Sequence, residues 1–424
     1  MKTYAWWILF WALAMLTAVA QTAKTPVGAK PKKPAAAPAP VVVSQAQIEK
    51  SHMSAAALNQ FGLKLVADVS SHDQHKNLFV SPLSLFLALA MTENGAEGET
   101  RAAMRKTLAV PAGVSEDALH ESASAMMKTL QSQKGIELAI ANALWSDSSF
   151  PLAPDYVARC RKLYDAEATT LDFRKTKATT DTINGWVKKK TRDKIPSIVN
   201  EGNVSESKTI LTNAVYFRGR WQHQFAKDQT KDAPFHLLNG GEKKVPMMHR
   251  SSIRNAYRSG KGYEAAALPY ESSEALLYAI LPAPGHSPEE ALATLKLEEL
   301  RSLSEPNDLD LRLPRFTLDF GPAALSGSLK RMGMGAAFEG RSEFRPMGSP
   351  LFYVGDVLHR TRLEVDEEGT IAAAATAVTM RAMAAPLQDL PKKTLVFDRP
   401  FALLLCDLQT GAILFAGVVY DPGP

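Results

Sequence analysis

Apolar residues recur at helical spacing in the first part of the chain. Over residues 45–71 they fall every three or four positions, which predicts an amphipathic helix. A second helix is expected directly after Ser81, because serine is a good helix cap and Pro82 suits a first helical turn.

Strand patterns dominate the later part of the chain. Alternating or β-rich runs predict strands at residues 137–145, 209–217, 309–320, 357–365, 401–406 and 413–420. The last two are joined by a short turn that contains Gly411, so they form a hairpin. Helices and strands do not alternate as a doubly wound sheet requires, and the order therefore predicts an α+β fold.

The N-terminus has the pattern of a secretory signal peptide. An apolar run from Tyr4 ends in the small residues Ala18-Val19-Ala20, which predicts cleavage after Ala20. The alternative is an uncleaved membrane anchor, although the run is shorter than the roughly 20 residues that a spanning helix needs. Residues 21–45, rich in Pro, Ala and Lys, are expected to be a disordered tether. The body, residues 46–424, is therefore expected in the periplasm or outside the cell.

Charge argues against a nucleic-acid partner. The chain has 49 basic and 44 acidic residues, but five basic and no acidic residues precede position 46, so the body carries 44 of each sign. Nucleic-acid-binding proteins usually present a basic stripe with aromatic residues, and this sequence has none.

Catalytic and metal-binding motifs are weak. Residues 205–208 fit S-x-x-K, but neither of the motifs that accompany it in penicillin-binding enzymes follows. The run that begins at Gly333 lacks the third glycine of a dinucleotide loop, and it is interpreted as a helix terminator. Cys160 and Cys406 are too few for a thiolate metal site, and either a disulfide or free thiols fit the count. We therefore predict no enzyme activity, no metal and no cofactor.

One segment has an unusual composition. Residues 367–386 read EEGTIAAAATAVTMRAMAAP, in which 8 of 20 residues are alanine. Buried strands favour β-branched and aromatic residues, and loops favour Gly, Pro, Asn, Asp and Ser. A surface helix is the simplest interpretation, because alanine is the best helix former.

Several motifs, in one order, resemble those of the serpin family. They are NLFVSPLSLFLALAMTENGA at 77–96, LTNAVYFRGRW at 211–221, KVPMM at 244–248, LRLPRFTLD at 311–319 and the closing segment at 398–422. The resemblance runs from about residue 46 to 424. It implies a single, monomeric serpin domain with three β-sheets, about eight or nine helices and an exposed reactive-centre loop.

The resemblance also implies a suicide-substrate mechanism against serine, and in some cases cysteine, endopeptidases. The loop is cleaved and inserts between the strands at 209–217 and 357–365, which traps the acyl-enzyme. Alternate loop residues then point into the sheet, so they must be small and uncharged. This requirement explains the alanine run. The hinge residues are Glu367, Gly369, Thr370, Ala372, Ala373, Ala374, Ala375 and Thr376.

Counting from Gly369 as inhibitory members of the family do, the cleaved bond is Met383-Ala384. An apolar residue at this position favours a chymotrypsin-, elastase- or subtilisin-like target. Arg381 is the alternative reactive residue, which a trypsin-like protease would recognise. The alternative function is a non-inhibitory, binding or chaperone-like member, for which charged, bulky or proline residues would be expected between Gly369 and Thr376.

Other positions match family clusters residue by residue. Ser81, Ser84, Asn213 and His359 match the shutter beneath the central sheet, and Trp221 matches the breach tryptophan at the top of the insertion path. Glu367 and Arg315 match an ion pair beside the hinge. The resemblance further implies that Cys160, on a surface helix, and Cys406, in a strand, are free thiols.

Overall fold

The computed structural model describes residues 43–72, 75–302, 306–348, 352–370 and 390–423. Over these ranges the α-helices are α1 Gln45–His72, α2 Pro82–Glu93, α3 Gly98–Thr107, α4 Glu116–Gln131, α5 Pro154–Tyr164, α6 Thr176–Lys190, α7 Glu201–Glu206, α8 Pro288–Thr294, α9 Leu297–Arg301 and α10 Ser326–Leu329. None of the described helices is long and apolar enough to cross a membrane.

The strands are β1 Leu78–Val80, β2 Ile136–Asp147, β3 Glu167–Leu171, β4 Thr209–Arg220, β5 Lys231–His236, β6 Glu242–Arg254, β7 Tyr257–Gly260, β8 Tyr263–Pro269, β9 Ala275–Pro282, β10 Asp308–Pro314, β11 Phe316–Ala324, β12 Asp356–Val365, β13 Gly369–Thr370, β14 Lys392–Val396, β15 Phe401–Asp407 and β16 Ile413–Val419. They form three sheets, which we call A, B and C. Sheet A has the order β11-β12-β13-β4-β2-β3, sheet B β1-β16-β15-β9-β8-β7 and sheet C β14-β10-β6-β5. The predicted mixture of helices and three sheets is confirmed.

The two predicted N-terminal helices are present. Ser81 caps α2, since its side chain accepts a hydrogen bond from the backbone N–H of Ser84, and Pro82 occupies the first turn as expected. Every residue of α2 is buried. A helix that is apolar all round belongs in the interior, and α2 accordingly contacts both sheet A and sheet B, through β4 and β16.

One strand prediction is wrong. Residues 309–320 form two strands in different sheets, with β10 in sheet C and β11 in sheet A. The inward-facing residues are Leu309, Leu311 and Leu313 before the break but Phe316 and Leu318 after it, so the alternation changes phase between the strands. Since side chains alternate with a period of two, such a change moves the apolar side chains to the other face.

The structure agrees with what the resemblance implies for the two cysteines. Cys160 and Cys406 are both free, as expected. Cys160 lies on the inner face of α5, whose outer face is exposed, and its side chain is fully buried. Burial raises the pKa of each thiol to about 12, so both are poor nucleophiles at neutral pH.

Candidate functional site: the centre of sheet A

The centre of sheet A contains a seam between two parallel strands. β4 and β12 pair directly from Ile210 opposite Asp356 to Tyr216 opposite Arg362. Beyond this point β13 lies between them, with Thr370 paired to Val365 on one side and to Gly219 on the other. The two strands are thus closed along most of the seam and separated at one end by the residues that lead into the alanine-rich segment.

Gly369 is required by a close approach of two backbones. A Cβ atom at this position would lie 2.2 Å from the carbonyl oxygen of Gly219 and 2.8 Å from Cα of Arg220. These distances are shorter than any real contact, so no side chain fits while the hinge is paired with β4. The lack of space for a side chain therefore explains the predicted hinge glycine.

Trp221 lies where the seam is separated, and two of its groups donate hydrogen bonds to residues that lead into β13. Its indole Nε1 donates to the carbonyl of Asp366 and its backbone N–H to the carbonyl of Glu368, each at 2.9 Å. Its ring stacks on Tyr270, with ring centroids 4.6 Å apart. The hydroxyl of Tyr270 is hydrogen-bonded to Oγ1 of Thr370 at 2.6 Å. We call Trp221, Tyr270 and residues 366–370 the breach.

Three acidic residues lie side by side in the breach. Oδ1 of Asp366 accepts the backbone N–H groups of Glu368 and Gly369, which fixes the turn into β13. Burial raises the pKa of Asp366, against the lowering effect of these two hydrogen bonds. Glu368 is paired with Lys227 at 2.5 Å.

Glu367 is buried and has two partners. It accepts a hydrogen bond from Thr230 Oγ1 at 2.8 Å, and its Oε1 lies 3.5 Å from Nη1 of Arg315. The expected ion pair between Glu367 and Arg315 is therefore present. Thr230 is the closer of the two partners, and the sequence did not indicate it.

The four predicted shutter residues meet beneath the seam, and all are fully buried. The backbone N–H of Ser81 donates to Nε2 of His359 at 3.1 Å, so the other ring nitrogen, Nδ1, carries the proton and donates to Oδ1 of Asn213. Asn213 in turn donates through Nδ2 to Ser84 Oγ and to Asn142 Oδ1. The network joins α2 to β2, β4 and β12.

The network holds His359 in one neutral form. Burial lowers the pKa of its imidazole to about 3. A second ring proton would face the Ser81 N–H, where no acceptor is available. The hydrogen-bonding groups of the shutter thus have matching partners only while His359 is uncharged.

Besides Thr230, sequence reasoning missed Asn142 and Tyr270. Asn142 completes the shutter network, and a signal for it exists, because it is the one polar residue in an otherwise apolar strand segment, LAIANALW. Tyr270 follows β8 directly, and no local pattern distinguishes it from an ordinary core tyrosine.

Several predicted positions lie outside the described residues. These are Ala372, Ala373, Ala374, Ala375, Thr376, the alternative reactive residue Arg381 and the predicted bond Met383-Ala384. The predicted signal peptide and tether also lie outside them, apart from residues 43–45. Of the predicted hinge, Glu367, Gly369 and Thr370 are described.

The comparisons with known proteins agree with this geometry. The family model described as Serpin (serine protease inhibitor) matches residues 56–422. Leukocyte elastase inhibitor of Bos taurus is 33% identical over 380 residues, which covers 87% of this chain and 99% of the relative. An uncharacterized serpin-like protein of Methanosarcina acetivorans is also 33% identical, over 384 residues, covering 87% of this chain and 86% of the relative.

Solved structures give the same result for the fold. The thermophilic serpin tengpin in its native state superposes with a TM-score of 0.76 at 28% identity, covering 90% of this chain and 95% of tengpin. Human thyroxine-binding globulin superposes with a TM-score of 0.78 at 24% identity, covering 89% of this chain and all of the globulin. With the family motifs, the seam and the shutter all present, the chain belongs to the serpin family.

Proposed function

We propose that the protein is a suicide-substrate inhibitor of serine endopeptidases. In this mechanism a protease attacks the segment that follows Thr370, forms an acyl-enzyme, and is displaced when the cleaved segment inserts between β4 and β12. The observation that carries the proposal is the position of Thr370, which is paired with both strands and so stands where an inserting strand would begin. Membership of a family described as serine protease inhibitors supports it.

The chemistry of the segment is consistent with insertion. Residues 370–376 read TIAAAAT, with no charge, ring or proline. Insertion of about 14 residues would add a strand of roughly 46 Å, at about 3.3 Å per residue, and would pair backbone groups with both neighbours. We infer that this gain drives the reaction and that the uncleaved protein is held in place kinetically.

We propose Met383-Ala384 as the cleaved bond, with Arg381 as the alternative residue. Methionine fits the apolar specificity pocket of chymotrypsin-, elastase- or subtilisin-like proteases. A bovine relative is named for inhibition of leukocyte elastase, which supports a target of this class. We further propose that the protein acts outside the cytoplasm, directed there by the signal peptide at residues 1–20.

The test is incubation of the protein from residue 21 onward with chymotrypsin, elastase, subtilisin and trypsin, followed by denaturing gels and mass analysis. We expect a denaturant-resistant adduct with one of the first three, together with a C-terminal fragment that begins at Ala384. A fragment that begins at Ala382 would assign the reactive residue to Arg381. Cleavage without any adduct would contradict the proposal and favour a non-inhibitory serpin.

A further inference from the structure

The breach contains a buried tyrosine whose hydroxyl points at the hinge. Tyr270 is 1% exposed, and its hydroxyl lies 2.6 Å from Oγ1 of Thr370, which is itself fully buried. A buried hydroxyl that loses its partner is costly. The contact is thus a specific link between the body of the protein and the first residue of the segment that is proposed to insert.

Neighbouring residues fix the ring of Tyr270 in one place. It stacks on Trp221 and makes an edge contact with Phe217, with ring centroids 5.0 Å apart. It also covers Gly219, where an added Cβ atom would lie 2.5 Å from Cδ1 of the tyrosine. The hydroxyl is therefore held at a fixed position beside β4, next to Thr370 of β13.

The sequence of the hinge gives the Tyr270 hydroxyl a hydrogen-bond partner in only one register of the strand. Thr370 is followed by Ile371 and four alanines, and the next hydroxyl is at Thr376. A slip of one or two residues would place isoleucine or alanine against Tyr270 and leave its hydroxyl without a partner. A slip of one residue would also turn the wrong face of the strand into the core.

We propose that Tyr270 is a positioning residue that seats Thr370 in the seam and sets the register in which the cleaved segment inserts. It touches neither the protease nor the cleaved bond, and it acts only through the hinge. Seating occurs in the uncleaved protein, and its effect on trapping rests on the inhibitory function proposed above.

A kinetic consequence follows from that function. The trapped adduct forms only when insertion is faster than hydrolysis of the acyl-enzyme. Insertion proceeds from molecules whose hinge is seated, so its rate scales with the seated fraction. Removing one hydroxyl-hydroxyl contact should lower the equilibrium constant between seated and unseated hinges by about two- to tenfold, the range that corresponds to the net value of one hydrogen bond. It should lower the seated fraction by at most that factor.

The first experiment measures seating without any protease. Hydrogen exchange of the amides in residues 366–370 is compared between the natural protein and Tyr270→Phe, which removes only the hydroxyl. We expect exchange there to be about two- to tenfold faster, with no change in β2 or β16. Tyr263→Phe is the matched control, because among the described residues the buried hydroxyl of Tyr263, on β8, has no hydrogen-bond partner. Unchanged exchange in Tyr270→Phe would overturn the proposal.

The second experiment measures the ratio of released, cleaved inhibitor to trapped adduct. Tyr270→Phe and Thr370→Val should each raise this ratio, by at most about tenfold. The ratio in the double variant should be no higher than in either single variant, and Thr370→Ser should retain the natural value. Total loop cleavage should be unchanged, which a general loss of structure would not produce. Additive effects of the two variants, or an unchanged ratio, would overturn the role in trapping. Failure of the natural protein to form an adduct would instead refute the proposed function, while leaving the exchange result to decide whether Tyr270 seats the hinge.

Discussion

The shutter and the breach hold the same two strands, but with different chemistry. In the shutter, β4 and β12 pair directly over a closed network of buried polar side chains. In the breach the strands are already separated by Gly369 and Thr370, and aromatic rings surround the opening. A polar network can be broken and formed again without leaving a cavity, whereas stacked rings hold a fixed shape. For the insertion proposed above, we therefore expect the breach to direct the inserting strand and the shutter to resist its entry.

The largest effect is expected from a charge at the start of the inserting strand. Thr370→Arg places a long cation where the threonine is fully buried, and an unpaired buried charge is not tolerated. We expect the adduct to be lost and the loop to be cleaved as an ordinary substrate, as judged on denaturing gels. Ile371→Arg is the matched control, because its side chain should face away from the core after insertion. Undiminished adduct formation by Thr370→Arg would rule out insertion as the mechanism.

A smaller but still large effect is expected from opening the shutter network. Asn213→Ala leaves Ser84, Asn142 and His359 without a shared partner. We expect the free energy of unfolding of the uncleaved protein to fall by about 2 to 4 kcal/mol, as measured by urea denaturation. Gln222→Ala removes an exposed amide and should stay within about 0.5 kcal/mol of the natural protein. Equal effects of the two variants would show that the network does not hold the seam.

The shutter should also respond to pH. The pKa of His359 is lowered to about 3 in the folded protein, while the unfolded chain has the ordinary value near 6.5. Between these values the unfolded state binds more protons, so the stability that the neutral imidazole contributes is present above about pH 6.5 and is lost as the pH falls. The expected slope is at most about 1.4 kcal/mol per pH unit.

His359→Gln tests this pH dependence, because glutamine can accept from Ser81 and donate to Asn213 without titrating. Other buried groups titrate as well: burial raises the pKa of Glu93 to about 7 and lowers the pKa of His120 to about 3. The quantity to measure between pH 4 and 7 is therefore the difference in the free energy of unfolding between the natural protein and His359→Gln. Parallel pH profiles would show that His359 does not control the seam.

The smallest effects are expected at the edge of the breach. Arg315 is half-exposed and its pair with Glu367 is long, so Arg315→Met should lower the free energy of unfolding by less than about 1 kcal/mol. Thr230→Val removes a hydrogen bond to the buried carboxylate and should cost about 1.5 to 3 kcal/mol. The two variants can be compared in one series of urea denaturations. If Arg315→Met lowered the free energy of unfolding more than Thr230→Val, the ion pair, and not the hydrogen bond, would hold Glu367.

The sequence predicted the parts of this site that local patterns encode. Ser81 and Pro82 mark the start of α2 whatever surrounds them, and the shutter residues followed from motif order. Tyr270 could not be found in this way, because its role depends on a contact with a residue 100 positions away. The split of residues 309–320 into two strands was missed although the change of phase is visible in the sequence, since strong alternation on both sides hid it.

The most direct test of the account is the stability of the protein after the chain is cut beyond Thr370. Thermolysin, a metalloprotease that forms no acyl-enzyme, would be used to cleave within residues 371–389, and thermal unfolding would be followed before and after. Insertion adds a strand paired on both sides, so the account predicts that the midpoint rises by at least about 10 °C. A midpoint that stays the same or falls, as expected for a protein nicked in a surface loop, would contradict insertion between β4 and β12.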